Sequence, residues 1–138
     1  MEREPSIRAV ICVDDEAVIL MALGMELRKG LGPGFVVETA STLADALAVA
    51  GELAADGIPL ACLVTDWIMP GARGEEVAER LRAVSPGLPV VLMTGHDETS
   101  EATGLISRGG PVRVVRKPWH GRGILEAVLG LAGNGLPE

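Results

Sequence analysis

Short apolar runs rich in valine and isoleucine alternate with longer segments of helical spacing along the chain, and this alternation limits the folds it can adopt. Five runs have the length and boundaries of strands: residues 7–13, 35–40, 60–65, 89–94 and 112–115. Because these runs are apolar almost throughout, they are typical of parallel strands with both faces covered. Strands that alternate with helices therefore predict one parallel sheet between two helical layers.

Apolar side chains at helical spacing predict five helices between and after these strands, the first over residues 17–27. Ser41 is a candidate cap for the second helix. Gly104 interrupts the fourth, which we expect between Asp97 and Arg108, and the fifth should end near Gly133. The apolar stripes of the second, third and fifth helices are Leu43, Leu47 and Ala50, then Val77, Leu81 and Val84, then Ile124, Val128 and Leu131.

Length and composition fit one globular domain. The chain has 138 residues, of which 48% are hydrophobic and only 2% aromatic, so its core must consist of Ala, Val, Leu and Ile. No apolar run approaches the roughly 20 residues of a membrane span, and no signal-peptide pattern is present at the N-terminus, so we expect a cytoplasmic protein without membrane insertion. Nucleic acid is a poor partner for a chain with a formal charge of −7.

The two cysteines, Cys12 and Cys62, lie in apolar strand runs. We expect buried free thiols there, in preference to a disulfide. Without further Cys or His partners, two cysteines do not make a zinc site.

Acidic residues follow two of the predicted strands. Asp14 and Asp15 come directly after the first strand and Asp66 after the third, so three of the six aspartates lie at strand ends. In a flavodoxin-like doubly wound parallel sheet, of order 2-1-3-4-5, these two strands are neighbours at the point where strand order reverses and ligands bind. Carboxylates brought together repel one another, and Mg²⁺, a hard cation that takes oxygen ligands, relieves that repulsion. The sequence therefore predicts a magnesium site.

Two further strand ends carry polar side chains. Thr94 closes the fourth strand with a hydroxyl, and Lys117, one of only two lysines, follows the fifth with an ammonium group that suits a carboxylate or phosphoryl oxygen. A cis Lys117–Pro118 bond would aim that lysine inward. Each residue alone has an ordinary explanation as a turn residue or a cap, but the four strand ends together favour a functional site.

Four segments resemble the receiver domain of two-component response regulators, and the resemblance covers essentially the whole chain. The segments are VDDE (13–16), DWIMPGARG (66–74), MTGH (93–96) and RKPW (116–119). The resemblance implies that Asp66 is the phosphoacceptor, assisted by Thr94 and Lys117. It also implies Mg²⁺ ligation by Asp15, Asp66 and the Ile68 carbonyl, a role for Asp14 through a water, phosphoryl contacts from the backbone of Ile68 and Gly95, and a family glycine at Gly74.

The function implied by the resemblance is Mg²⁺-dependent transfer of a phosphoryl group from a phosphohistidine to Asp66, followed by signalling through protein contacts. The implied partner is a histidine kinase or a histidine phosphotransfer protein, and a homodimer is left open. Such a module catalyses its own phosphorylation and dephosphorylation. We expect a single receiver domain over residues 1–138, with its core at about 6–133 and no output domain. A receiver cut from a hybrid histidine kinase and a degenerate interaction module are the alternatives.

The chain departs from the family three residues before the lysine, where an aromatic ring usually swings inward. Val114 occupies that position and offers no large rotamer change, so the usual threonine–aromatic relay is in question. Two other positions line the approach to the phosphoryl group. Apolar Ile68 should hinder an attacking water. His96 could hold such a water or donate a hydrogen bond to the phosphoryl group, or it could be an ordinary exposed loop residue.

The first helix is apolar around more than one face. Its excess of apolar residues suggests a surface that docks a partner helix, or deeper burial than the spacing indicates. We expect Val18, Leu23 and Leu27 in the core, and Leu20, Met21 and Met25 exposed.

Two other classes of protein fit less well. A small-phosphoester hydrolase with an aspartate nucleophile usually has a second carboxylate two residues on, where this chain has Ile68. A flavodoxin-like cofactor binder needs a phosphate-cradling loop after the first strand, and Asp14, Asp15 and Glu16 would repel a flavin phosphate there.

Overall fold

A computed structural model describes residues 7–69, 71–95, 103–104 and 106–133. Five parallel strands form one sheet in the order β2-β1-β3-β6-β7, and β4 and β5 form a separate antiparallel hairpin. This confirms the expected order 2-1-3-4-5, because β6 and β7 are the fourth and fifth strands of the sheet when the two hairpin strands are left out of the numbering. The strands are β1 (Arg8–Val13), β2 (Phe35–Ala40), β3 (Leu60–Asp66), β4 (Ile68–Met69), β5 (Ala72–Arg73), β6 (Val90–Thr94) and β7 (Val112–Arg116).

Helices follow four of the strands within the part of the chain that the structure describes. They are α1 (Ala17–Leu31), α2 (Leu43–Ala55), α3 (Gly74–Val84) and α4 (Gly121–Val128), and a π-helical turn (Leu129–Gly133) continues α4. Of the further helix expected between β6 and β7, residues 103–104 and 106–107 are helical. Arg108 lies in a turn, and the rest of that prediction, residues 97–102 and 105, lies outside the described residues.

The cap of α2 is one residue later than expected. The Thr42 hydroxyl oxygen accepts a hydrogen bond from the Asp45 backbone N–H at 3.0 Å, so Thr42 and not Ser41 is the N-cap. The Ser41 hydroxyl donates to the Asp45 carboxylate at 3.4 Å instead. Both residues are competent caps, and only the backbone geometry decides between them.

Successive strand residues alternate between two apolar cores, one on each face of the sheet. In β1, Ile11 and Val13 face α2 and α3, while Val10 and Cys12 face α1 and α4. This arrangement accounts for the uninterrupted apolar runs of the sequence. Both cysteines are buried free thiols, as predicted, and burial raises the pKa of Cys12 to about 12.

The exposed face of α1 differs from the prediction. Val18 is 79% exposed, and Leu20 is partly buried against the core together with Leu23 and Leu27. Helical geometry explains the correction. Leu20, Leu23 and Leu27 are spaced three and four residues apart and therefore share the face that packs on the core. Val18 and Met25 are seven residues apart and share the exposed face. Met21 and Met25 are exposed, as expected.

None of the described helices is both long and apolar enough to cross a membrane.

Candidate functional site

Parallel strands bring four polar strand ends to one edge of the sheet. In β1 and β3, Val13 lies beside Thr65, so Asp14 and Asp66 follow at the same level. In β6 and β7, the Lys117 backbone N–H donates to the Thr94 carbonyl at 2.9 Å, which places these two residues side by side. The sheet therefore brings together the aspartates, the threonine and the lysine singled out in the sequence.

The three aspartates form one cluster. A carboxylate oxygen from each of Asp14, Asp15 and Asp66 lies within 4.8 Å of the other two. Asp14 is fully buried, Asp66 is half-buried and Asp15 is exposed, so the cluster opens to solvent on the Asp15 side.

Lys117 supplies the positive charge at this edge. Its Nζ donates a hydrogen bond to Asp66 Oδ2 at 3.0 Å and lies 3.9 Å from Asp14 Oδ2. Burial alone would lower the pKa of Lys117, but the hydrogen bond to Asp66 and the negative charges around the ammonium outweigh it and raise that pKa. Lys117 is therefore held as an ammonium ion against the Asp66 carboxylate.

Asp14 is the least satisfied member of the cluster. Its Oδ1 accepts a hydrogen bond from the Glu16 backbone N–H at 2.9 Å, but its buried Oδ2 has no hydrogen-bond partner. Burial raises the pKa of Asp14, the Glu16 hydrogen bond acts against this rise, and the nearby charge of Asp66 adds to it. One ammonium against three carboxylates leaves net negative charge in a small space. An orphaned carboxylate oxygen beside two others fits a hard divalent cation with oxygen ligands.

A hairpin with strands of two residues each follows Asp66 and Trp67. Ile68 pairs with Arg73 and Met69 with Ala72, and the Gly74 N–H closes the loop on the Trp67 carbonyl at 2.7 Å. A Cβ at Gly74 would lie 2.5 Å from the Asp66 carbonyl oxygen, so only glycine allows this close approach. The chain therefore returns at Gly74 to the backbone of Trp67 and of Asp66, a member of the acidic cluster.

The remaining candidate residues lie around this cluster in the following way. Thr94 is buried and Gly95 exposed, Val114 is half-buried against the core, and the Lys117–Pro118 bond is cis. The side chain of Ile68 is 58% exposed. His96 and Pro70 lie outside the described residues.

Two features of the site were missed in the sequence. The hairpin has strands of two residues, too short for any periodic signal. The Arg73 guanidinium lies 5.8 Å from the centre of the buried Trp67 ring, and an aromatic residue six positions before an arginine gives no indication of such a contact.

With the fold and the cluster established, comparison with known proteins gives the class. The sequence matches the response regulator receiver domain family over residues 10–129. The chain therefore belongs to the receiver domain family of two-component response regulators.

Similar proteins agree with this assignment. The chain is 34% identical over 122 residues to the probable transcriptional regulatory protein TcrX of Mycobacterium tuberculosis, which covers 88% of this chain and 47% of that protein. It is 29% identical to the photosynthetic apparatus regulatory protein RegA of Cereibacter sphaeroides, over 94% of this chain and 65% of that one. The chain thus spans about half to two thirds of the length of these relatives.

Solved structures share the fold. The chemotaxis protein CheY4 of Vibrio cholerae superposes with a TM-score of 0.76 at 22% identity, covering 91% of this chain and 99% of that one. A response regulator receiver domain from Clostridium thermocellum gives a TM-score of 0.74 at 22% identity, covering 91% and 94% of the two chains. At this identity the likeness concerns the fold alone.

Proposed function

We propose that Asp66 accepts a phosphoryl group from a phosphohistidine of a histidine kinase or a histidine phosphotransfer protein. The observation that carries this proposal is the contact between Lys117 Nζ and Asp66 Oδ2 at 3.0 Å within a cluster of three aspartates. A structural ion pair would need only one carboxylate. Two further aspartates beside it cost stability, and phosphoryl transfer gives them a role.

The chain's own groups suit the transfer. An oxygen of the Asp66 carboxylate attacks phosphorus as the phosphorus–nitrogen bond to the donor histidine breaks, and the imidazole keeps the electron pair of that bond. Lys117, already beside Asp66, donates hydrogen bonds to the phosphoryl oxygens as their charge develops. Thr94 and the backbone of Gly95 are proposed to contact the same oxygens.

Mg²⁺ is the proposed cofactor. Asp15, Asp66 and the Ile68 carbonyl would bind it directly, and Asp14 through a water. Bound there, it would neutralise charge on the phosphoryl oxygens. Asp14 and Asp15 hold the negative charge that attracts the cation, and the hairpin that contains Ile68 is closed by the Gly74 N–H on the Trp67 carbonyl.

The exposed apolar face of α1, formed by Val18, Met21 and Met25, is proposed as the surface that docks a helix of the partner. These side chains are 79%, 64% and 62% exposed, and α1 begins directly after the acidic cluster. Flexible methionines suit a surface that must adapt to a helix.

Met21→Gln should slow transfer from the partner several-fold while leaving acetyl phosphate labelling unchanged. Val84→Gln, an exposed apolar residue at the end of α3, is the matched control. Equal rates in both variants would exclude this face.

Dephosphorylation is proposed to be slow to moderate. The exposed side chain of Ile68 stands two residues after the acceptor, where it hinders an attacking water. A change in this rate in His96→Ala would support a role for His96. Val114 is proposed to pack as a strand residue and to take no part in a switch. A cytoplasmic location and a single receiver domain stay predictions, and the question of a homodimer stays open.

The decisive experiment is intact-protein mass after incubation with acetyl phosphate, with and without Mg²⁺. We expect one phosphoryl adduct that requires Mg²⁺ and is lost in Asp66→Asn, because the amide cannot form the acyl phosphate. Asp45→Asn, on the exposed start of α2, is the matched control and should be labelled like the original chain. A folded protein that forms no adduct would favour an interaction module without phosphorylation.

A further inference from the structure

Arg82 of α3 binds three separate parts of the backbone at the edge of the sheet opposite the acidic cluster. Its Nε donates to the Leu88 carbonyl at 2.8 Å, and its Nη2 to the Pro111 carbonyl at 3.1 Å. Its Nη1 donates to the Ile106 carbonyl. Leu88 precedes β6, and Ile106 and Pro111 belong to the crossover that connects β6 to β7. One guanidinium therefore joins α3 to the segment before β6 and to the last part of the connection before β7.

The crossover approaches Arg82 through two glycines. A Cβ at Gly109 would lie 2.9 Å from Arg82 Nη1, and a Cβ at Gly110 would lie 3.0 Å from Nη2 and 2.9 Å from the Gly87 carbonyl oxygen. Gly110 also has φ +157°. By contrast, a Cβ at Gly104 would meet nothing within 4 Å. The chain thus has glycines where the backbone must lie against the guanidinium.

Beside these bonds, a groove of about 390 Å³ lies between α3 and the described end of the crossover, lined by Ala78, Ala83, Ile106 and Gly109 among others. Ile106 packs into the apolar core on one side of this groove. The Arg82 side chain crosses from α3 to the Ile106 and Pro111 carbonyls.

We propose that Arg82 is a tether that holds residues 106–111 on α3, so that a rearrangement at the phosphoryl site stops at Ile106 and does not reach the start of β7. The second half of this statement rests on the proposed function. The tether depends on the number and direction of the N–H groups that arginine carries. The planar guanidinium can bond three carbonyls at fixed positions, and neither lysine nor glutamine can bond all three.

The first arm of the test measures amide hydrogen exchange by NMR without a phosphoryl donor. In Arg82→Gln, the Gly109 and Gly110 amides, which bind the Ile106 and Ser107 carbonyls, should exchange about tenfold faster or more, as expected from losing a hydrogen bond to a charged group. Amides of the β1–β3 ladder should keep their protection. Arg80→Gln, on the exposed side of α3, is the control and should change neither set.

A second variant keeps the test decisive if Arg82→Gln does not fold. Gly109→Ala places a methyl group against the guanidinium and should accelerate exchange at Gly110, while Gly104→Ala should not. In the Arg82→Gln background, Gly109→Ala should add little, because the group it displaces is gone. Unchanged exchange in both Arg82→Gln and Gly109→Ala would overturn the tether.

The second arm adds acetyl phosphate and Mg²⁺ after mass has confirmed the adduct. In the original chain, chemical shifts of residues 109–112 should stay constant, whereas in Arg82→Gln they should move on phosphorylation. Equal movement in both proteins would overturn the proposed limit at Ile106. If no adduct forms, the proposed function fails instead, and the first arm alone decides whether Arg82 is a tether.

Discussion

Asp14 and Arg82 are both charged residues drawn away from water, at opposite edges of the same sheet, and their surroundings differ. Arg82 reaches three carbonyls, one from each of its N–H groups that face the protein. Asp14 keeps one oxygen without a hydrogen-bond partner and has two further carboxylates beside it. Burying a charge costs free energy unless it is paired and hydrogen-bonded. The Arg82 edge is thus arranged for stability, and the Asp14 edge retains negative charge that a cation would neutralise.

The largest expected change in stability is at the edge of the sheet where Arg82 bonds three carbonyls. Arg82→Met should lower the free energy of unfolding by about 2–4 kcal/mol, because it removes three charge-assisted hydrogen bonds and leaves partly buried carbonyls unpaired. Urea denaturation of the two proteins measures the difference. Arg80→Met on the exposed side of α3 should change the same quantity by less than about 0.5 kcal/mol. An equal loss in both variants would mean that the three carbonyl contacts of Arg82 contribute no more to stability than an exposed arginine does.

A change in stability of the opposite sign is expected at the edge of the sheet where Asp14 lies. Asp14→Asn should raise the free energy of unfolding without Mg²⁺ by about 1 kcal/mol, because it removes a buried charge that repels Asp66. Adding Mg²⁺ should stabilise the original chain more than the variant. Thermal melts with and without an excess of Mg²⁺ test both points. If Asp14→Asn is less stable than the original chain without Mg²⁺, the charge of Asp14 does not destabilise the folded protein and the prediction is wrong.

A smaller effect should appear with pH. The pKa of Asp14 is raised in the folded protein above its ordinary value of 3.8, so the folded state binds more protons than the unfolded state between these two values. Stability contributed by Asp14 is therefore present at low pH and is lost as pH rises through the folded pKa. Denaturation midpoints of the original chain and of Asp14→Asn, measured from pH 4 to 7 without Mg²⁺, should converge at the acidic end. A constant difference between the two proteins would exclude this cause.

The sheet and most of its candidate site could be predicted because each depends on a local pattern. The apolar run at 35–40 became β2 with the same bounds, and the aspartates follow strands whose order is fixed by topology. The prediction for Val18 was wrong, because a helix that is apolar all round does not show which face is inward. The Arg82 contacts could not be predicted, since arginine in a helix usually faces solvent and its carbonyl partners are up to 29 residues away.

The two tryptophans of the chain, and the absence of tyrosine, have a practical consequence. Trp67 follows Asp66 directly, is 5% exposed and donates its backbone N–H to the Met93 carbonyl at 2.9 Å. Trp119 lies two residues after Lys117 and lines the same edge of the sheet. The whole near-ultraviolet emission of this protein therefore arises beside its acidic cluster, and unlabelled protein in a cuvette can report events there as they happen.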